Sequence, residues 1–233
     1  MDAIKNALII AMLLLPGAIT AHAAGNTNIV VMLGDSTTLC SRNKPGAKLT
    51  ELVQAYLTQK KLQAVVVNSG VGSDTAKGGF NRLEKAVLVH SPDVVTISFG
   101  LNDTGLFTPD EYRDWMEKIL QEIQAKSKAR ILLVTSTPFN NAKHAWRKKF
   151  ADKGGLDEYM DANICAATRE LAKKHNLKLC DLHAFFLEKF EGDPKLVDEL
   201  IMPDGVHLTD RGNEVAAGCL APAIAEILAE KNK

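Results

Sequence analysis

Short apolar runs alternate with longer amphipathic segments along almost the whole chain, and this alternation restricts the possible fold more than any other feature. Residues 28–33, 64–68, 93–98, 131–135 and 178–181 are brief, mostly aliphatic runs rich in Val, Ile and Leu. Runs of that length and composition suit strands buried on both faces. The intervening segments 48–59, 78–89, 108–126 and 157–175 read as helices, and 209–230 closes the chain as a helix with a bend expected at Pro222. The segment 108–126 carries the clearest signals. Thr108 can cap it, Pro109 fits its first turn and Glu111 completes a capping box. Tyr112, Trp115, Met116, Ile119, Leu120 and Ile123 then form one apolar stripe, suited to core packing. Strands alternating with helices predict an α/β domain with a parallel sheet covered on both faces. Residues 139–156 are polar and basic and read as a surface excursion. With 233 residues and no linker, repeat or low-complexity tract, the chain fits a single domain.

The first 23 residues read as an export signal, leaving 24–233 as the folded domain. Lys5 supplies the positive start, residues 7–15 are apolar but too short to span a bilayer, and Pro16-Gly17 interrupts the run. Ala21-His22-Ala23 then offers a small-x-small cleavage site, so the expected location is secreted or periplasmic. No Cys lies beside that site, which argues against a lipid anchor, and no stable membrane attachment is expected. Lys plus Arg and Asp plus Glu both number 28, giving zero formal net charge. A general nucleic-acid binder needs a basic excess, so that class is not expected. Cys40, Cys165, Cys180 and Cys219 contain no CxxC pair, which weakens zinc and thioredoxin-type readings. Export permits disulfides, and the spacing leaves both their pairing and their existence open.

In parallel α/β folds, sites form where the carboxyl ends of strands meet the following loops. Four segments of chemical interest lie at such ends or in the loop before the last helix. Gly34-Asp35-Ser36 follows the first strand, with Gly34 expected to allow a sharp turn and Ser36 to begin a helix. Asn68 to Thr75 is a Gly-containing loop after the second strand, able to turn a backbone N–H toward a common site. Gly100-Leu101-Asn102-Asp103 follows the third strand, where an Asn amide can donate to a developing oxyanion. Asp204-Gly205-Val206-His207 supplies an imidazole that can act as a base near neutral pH and a carboxylate that can orient it. Taken singly, each segment also reads as an ordinary cap, turn or connection.

Together and in this order, the four segments resemble those of the GDSL/SGNH hydrolase family, over nearly all of the chain from Gly34 to the final helix. The resemblance implies a three-layer α/β/α sandwich with a five-stranded parallel sheet, flavodoxin-like in strand order. It implies a catalytic triad of Ser36 as nucleophile, His207 as base and Asp204 as orienter. It also implies an oxyanion hole from the N–H groups of Ser36 and Ser73 and the side chain of Asn102. Two positions depart from the family pattern. Ser73 stands where a Gly is usual, with Gly72 just before it, and either N–H could be the donor. Thr37 stands where a Leu commonly follows Gly-Asp-Ser.

The implied reaction is acyl transfer through an acyl-enzyme, with no metal or cofactor. The expected substrate is a small-molecule or glycan ester with a short acyl group, such as an acetylated sugar. Two other readings share the fold: a lysophospholipase- or thioesterase-type lipid acyl hydrolase, and a non-catalytic carbohydrate-binding protein. Of the remaining histidines, His144 lies in the excursion and could reach over the site. His183, after the fifth strand with Asp181 nearby, is the rival base. Oligomeric state is not readable from these features.

Overall fold

The computed structural model describes residues 27–230; the export segment lies outside them. Five strands form one parallel sheet: β1 (Asn28–Gly34), β2 (Ala64–Gly70), β3 (Val94–Ser98), β4 (Arg130–Val134) and β5 (Lys178–Cys180). Their order is β2-β1-β3-β4-β5, the flavodoxin-like arrangement. The helices are α1 (Ser36–Leu39), α2 (Leu49–Gln59), α3 (Ala76–Ala86), α4 (Asp103–Leu106) and α5 (Pro109–Lys126). They continue as α6 (Leu156–Met160), α7 (Ala166–Lys174), α8 (Leu182–Gly192), α9 (Leu196–Leu200) and α10 (Asp210–Glu230).

The strand sequences explain the three layers. Successive side chains point to opposite faces, and both faces are apolar. Val31, Leu33, Val95, Ile97 and Leu133 face a core completed by Leu83 of α3, Met116 and Ile119 of α5, and Leu171 of α7. Val30, Met32, Val94, Leu132 and Val134 face a second core completed by Val53 of α2, Phe186 of α8, and Leu220 and Ile224 of α10. Each fully buried aliphatic side chain contributes roughly 1.5–3 kcal/mol of transfer free energy. Thr108 caps α5 and forms the expected capping box with Glu111. Among the described residues, no helix is long and apolar enough to cross a membrane.

Three segments carry more structure than the sequence pattern indicates. The segment 182–200 holds two helices, α8 and α9, that hydrophobic periodicity did not indicate. Segment 157–175 is helical but broken into α6, a π-helical turn at Asp161–Cys165, and α7. The 139–156 excursion has short 3₁₀ turns at Ala145–Lys148 and Ala151–Lys153 and is anchored by buried Phe139, Asn140 and Phe150. It lies at the surface as expected, and these buried residues pack it on the domain as a wall.

Candidate active site

The switch point of this sheet lies between β1 and β3, whose neighbours lead away in opposite directions. Ligands in open α/β sheets bind outside the strand ends at that point. Ser36 follows β1, and Asn102 follows β3. The loop after β2 contributes Gly72 and Ser73, and the loop before α10 contributes His207. All five line one cavity of about 240 Å³.

Gly34 ends β1, opposite both Gly70 and Ser98. A Cβ there would stand 2.2 Å from Thr38 Oγ1 and 2.8 Å from the Ser98 carbonyl oxygen. Gly34 is thus demanded by close approach of neighbouring elements, not by the positive φ of a sharp turn. Asp35 caps α1 by accepting from the N–H and hydroxyl of Thr37, each at 2.8 Å. Thr37, the residue departing from the family's usual Leu, therefore helps fix the turn. Ser36 is the first residue of α1, where backbone N–H groups lack intrahelical acceptors.

The Asp204–His207 segment is tied down from both sides. Asp204 Oδ1 accepts from the N–H groups of Val206 and His207, each at 3.0 Å. Its Oδ2 lies 2.7 Å from His207 Nδ1, and His207 Nε2 lies 2.9 Å from Ser36 Oγ. Gly205 has φ +81°, the left-handed region that favours glycine, and its carbonyl accepts from Asn140 N–H at 2.9 Å. A Cβ on Gly205 would stand 2.5 Å from His144 N, so the excursion packs directly on the loop that carries His207. Arg42 forms a further ion pair with Asp204. Burial opposes ionisation of Asp204, but the two backbone donors and His207 outweigh it and hold its carboxyl down at about 2. Asp204 is therefore an anion at neutral pH, able to accept a hydrogen bond from a ring N–H.

The opposite side of the cavity is equally organised. Asn102 Nδ2 donates to the Asp74 carbonyl at 2.8 Å, leaving its second N–H for another acceptor. Arg82 donates to Asp74, to Ser69 Oγ and to the Gly34 carbonyl, tying the Ser73 loop to the end of β1. Ser73 sits at φ +59°, a left-handed conformation in which the family's usual Gly would carry no steric cost. The backbone N–H groups of Gly72 and Ser73 have no acceptor among the described residues. Phe139, His144 and Trp146 of the excursion form the remaining wall, and burial lowers the His144 pKa. His144 thus does reach the site. His183 does not: its side chain is only 1% exposed, and its Nε2 lies 3.2 Å from Asp157 Oδ1.

Sequence reasoning missed Arg42, Arg82 and the aromatic wall. Arg42 meets a partner 162 positions away, a contact that spacing does not encode. Phe139 and Trp146 could have been noticed as apolar residues within a basic stretch.

Two buried carboxyls underlie this site. Burial pushes Asp35 up to about 6 and Asp103 up to about 7. Asp103 Oδ1 accepts from Ala76 N–H at 2.9 Å, while its buried Oδ2 has no hydrogen-bond partner among the described residues. Because the folded state favours the neutral acid, the contribution to stability is complete below about pH 4 and is lost as pH rises through about 7. Asp103→Asn keeps the acceptor oxygen and abolishes the titration. Wild type is expected to lose about 2–4 kcal/mol relative to this variant between pH 4 and pH 8, measured by denaturant unfolding. Parallel pH profiles for the two proteins would contradict this.

The pattern of the GDSL-like Lipase/Acylhydrolase family matches residues 32–215, and the chain belongs to that family. The protein is accordingly a carboxylic ester hydrolase with the α/β fold of GDSL/SGNH enzymes. It is 28% identical over 209 residues to an uncharacterized lipoprotein, YqeF, of Bacillus subtilis (strain 168), covering 80% of this chain and 85% of that protein. It is 30% identical over 187 residues to an acetylxylan esterase of Xylanibacter ruminicola, covering 68% of this chain and 35% of that longer protein. Among solved structures, the acetyl xylan esterase AlAXEase superimposes with a TM-score of 0.68 at 25% identity, covering 84% of this chain and 99% of that one.

Proposed function

We propose that this protein is an exported serine esterase that removes short acyl groups, acetyl foremost, from a polar alcohol such as a sugar. The observation that carries the proposal is the continuous line from Asp204 through His207 to Ser36, opening on a small cavity that also holds Asn102 and Ser73. In this reading His207 Nε2 takes the Ser36 proton as Oγ attacks the ester carbonyl. The tetrahedral oxyanion accepts hydrogen bonds from the Ser36 and Ser73 N–H groups and the Asn102 side chain. His207 then protonates the departing alcohol. A water molecule, activated by the same imidazole, releases the acid and restores Ser36.

The acyl preference rests on size and lining. At about 240 Å³ the cavity falls below the roughly 300–1,000 Å³ of pockets for drug-sized ligands. Ser41, Arg42 and Asn102 make much of its wall polar, which suits a hydroxylated leaving group. The acetylxylan esterase relatives point the same way, and the lipoprotein relative agrees with an envelope or extracellular location. Activity on p-nitrophenyl acetate, butyrate and octanoate, with acetate release from acetylated xylo-oligosaccharides, tests the reading. The kcat/KM is expected to be highest for acetate and at least about tenfold lower for octanoate, a difference of about 1.4 kcal/mol. Secreted material is expected to begin near Ala24. A preference for octanoate would favour a lipid acyl hydrolase instead, and an intact Met1 on exported protein would remove the signal-cleavage component.

The oxyanion assignment makes a separate expectation. Asn102→Ala removes a donor and should cost about 10²–10³ in kcat with little change in KM. Ser73→Gly keeps the N–H and relieves the left-handed strain, so a loss under about tenfold is expected. Proline, locked near φ of about −65°, cannot adopt this backbone, so Ser73→Pro would report loop distortion as well as the lost N–H. Equal losses for Asn102→Ala and Ser73→Gly would give the Ser73 hydroxyl a role outside this scheme.

A further inference from the structure

The four cysteines separate into two environments. Cys165 is fully buried in the core that contains α5 and α7. Cys40, Cys180 and Cys219 belong to the core on the other face of the sheet. The Cys40 thiol donates to the Thr37 carbonyl at 2.8 Å and also meets the Asn213 side chain. The remaining two face each other. Cys180 ends β5, Cys219 lies in α10, and their sulfurs stand 3.0 Å apart. Both are free thiols in the structure.

We propose that Cys180 and Cys219 form a cross-linking site, closed by oxidation into a disulfide that ties the edge strand β5 to the closing helix α10. Bringing the sulfurs from 3.0 Å to a bond of about 2.05 Å takes an approach of about 1 Å, within the reach of small side-chain rotations. The mechanical reason lies in the sheet. The strand β5 has three residues and, among the described residues, pairs with β4 alone, through Leu132–Lys178, Leu133–Leu179 and Val134–Cys180. The two cysteines lie 39 positions apart and bracket Asp204 and His207. A bridge between them closes a loop around the segment that carries the proposed base and its orienter. Such closure restricts the unfolded chain and holds α8, α9 and the base loop against the sheet.

The chemistry requires an oxidant bearing a disulfide, either a small molecule or a disulfide-exchange protein. Cys219 is half-buried and Cys180 buried, so Cys219 is the thiol that meets the oxidant. The two sulfurs share a hydrogen bond in which either can donate, and the contact with Cys180 lowers the Cys219 pKa. After loss of its proton, Cys219 attacks one oxidant sulfur, forms a mixed disulfide and expels the first oxidant thiolate. Cys180, once deprotonated, attacks Cys219 Sγ, forms the intramolecular bond and expels the second. Two protein thiols are oxidised, and one oxidant disulfide is reduced to two thiols.

The test starts from the full chain purified under reduction and exposed to oxidised glutathione near pH 8. Alkylation under denaturing conditions is expected to count two free thiols instead of four. Peptide mapping is expected to show one cross-link, between the Cys180 and Cys219 peptides. The thermal midpoint should rise by about 5–15 °C over the reduced form, the range expected for a loop of this length. Cys219→Ser should keep all its remaining thiols free and show no such rise. Four persistent thiols, stable glutathione adducts, or a bridge involving Cys40 or Cys165 would overturn the proposal.

Discussion

Ser36→Ala is expected to lower kcat on a short-chain ester by about 10⁴–10⁶, or about 5–8 kcal/mol of transition-state stabilisation. The variant lacks the oxygen that stands 2.9 Å from His207 Nε2, and with it the route through an acyl-enzyme. What survives is the contribution of the oxyanion donors and of substrate binding, which in triad enzymes leaves about 10³–10⁴ over the uncatalysed reaction. KM should change little, because Ala still leaves the cavity open to substrate. Stability should stay within about 0.5 kcal/mol, since the hydroxyl is at the cavity surface and only half-buried. Steady-state kinetics with a matched unfolding curve check both parts. A folded Ser36→Ala protein with full turnover would remove Ser36 from the mechanism.

His207→Ala should be comparably damaging, about 10⁴–10⁶ in kcat, because triad members act as a unit and their losses are not additive. The double variant with Ser36→Ala should then be scarcely worse than either single one. His183→Ala separates geometry from mere presence of a histidine. His183 is buried, its N–H donates to Thr135 Oγ1, and its ring faces Asp157 rather than the cavity. Its loss leaves a carboxylate short of a partner and should cost stability, about 1–3 kcal/mol, while kcat of the folded protein stays within a few fold. A dead His183→Ala beside an active His207→Ala would move the base across the sheet.

The sequence shows the sheet more clearly than the site. Each strand is a nearly continuous apolar run because both of its faces are covered, and each run therefore stands out from its flanks. Helix α5 is equally plain, since Thr108, Glu111 and the Tyr112–Ile123 stripe carry cap and core signals together. Helix α8 is harder to read because Leu182, Phe185, Phe186 and Phe190 are crowded, and no strong polar face marks the period. The residue types of the proposed chemistry are legible because each follows a strand or lies in the loop before the last helix. Their support is not. Arg42 on Asp204, Arg82 across the β1 and β2 ends, and Asn140 on Gly205 are contacts between distant segments, fixed only when the sheet forms. The meaning of Gly34 changes for the same reason, because the atoms that exclude a Cβ belong to Thr38 and Ser98. The cysteines show the limit most simply. Spacing allows several pairings, and only packing places Cys180 beside Cys219.

In the proposed reaction Ser36, activated by His207 and Asp204, is the nucleophile that attacks the ester. This role is tested most directly by reacting the native protein with a serine-directed fluorophosphonate and mapping the adduct by peptide mass spectrometry. One adduct is expected, on the peptide containing Ser36, formed in step with loss of esterase activity and absent from the Ser36→Ala and His207→Ala proteins. An adduct on another serine, or full esterase activity with Ser36 unlabelled, would contradict it.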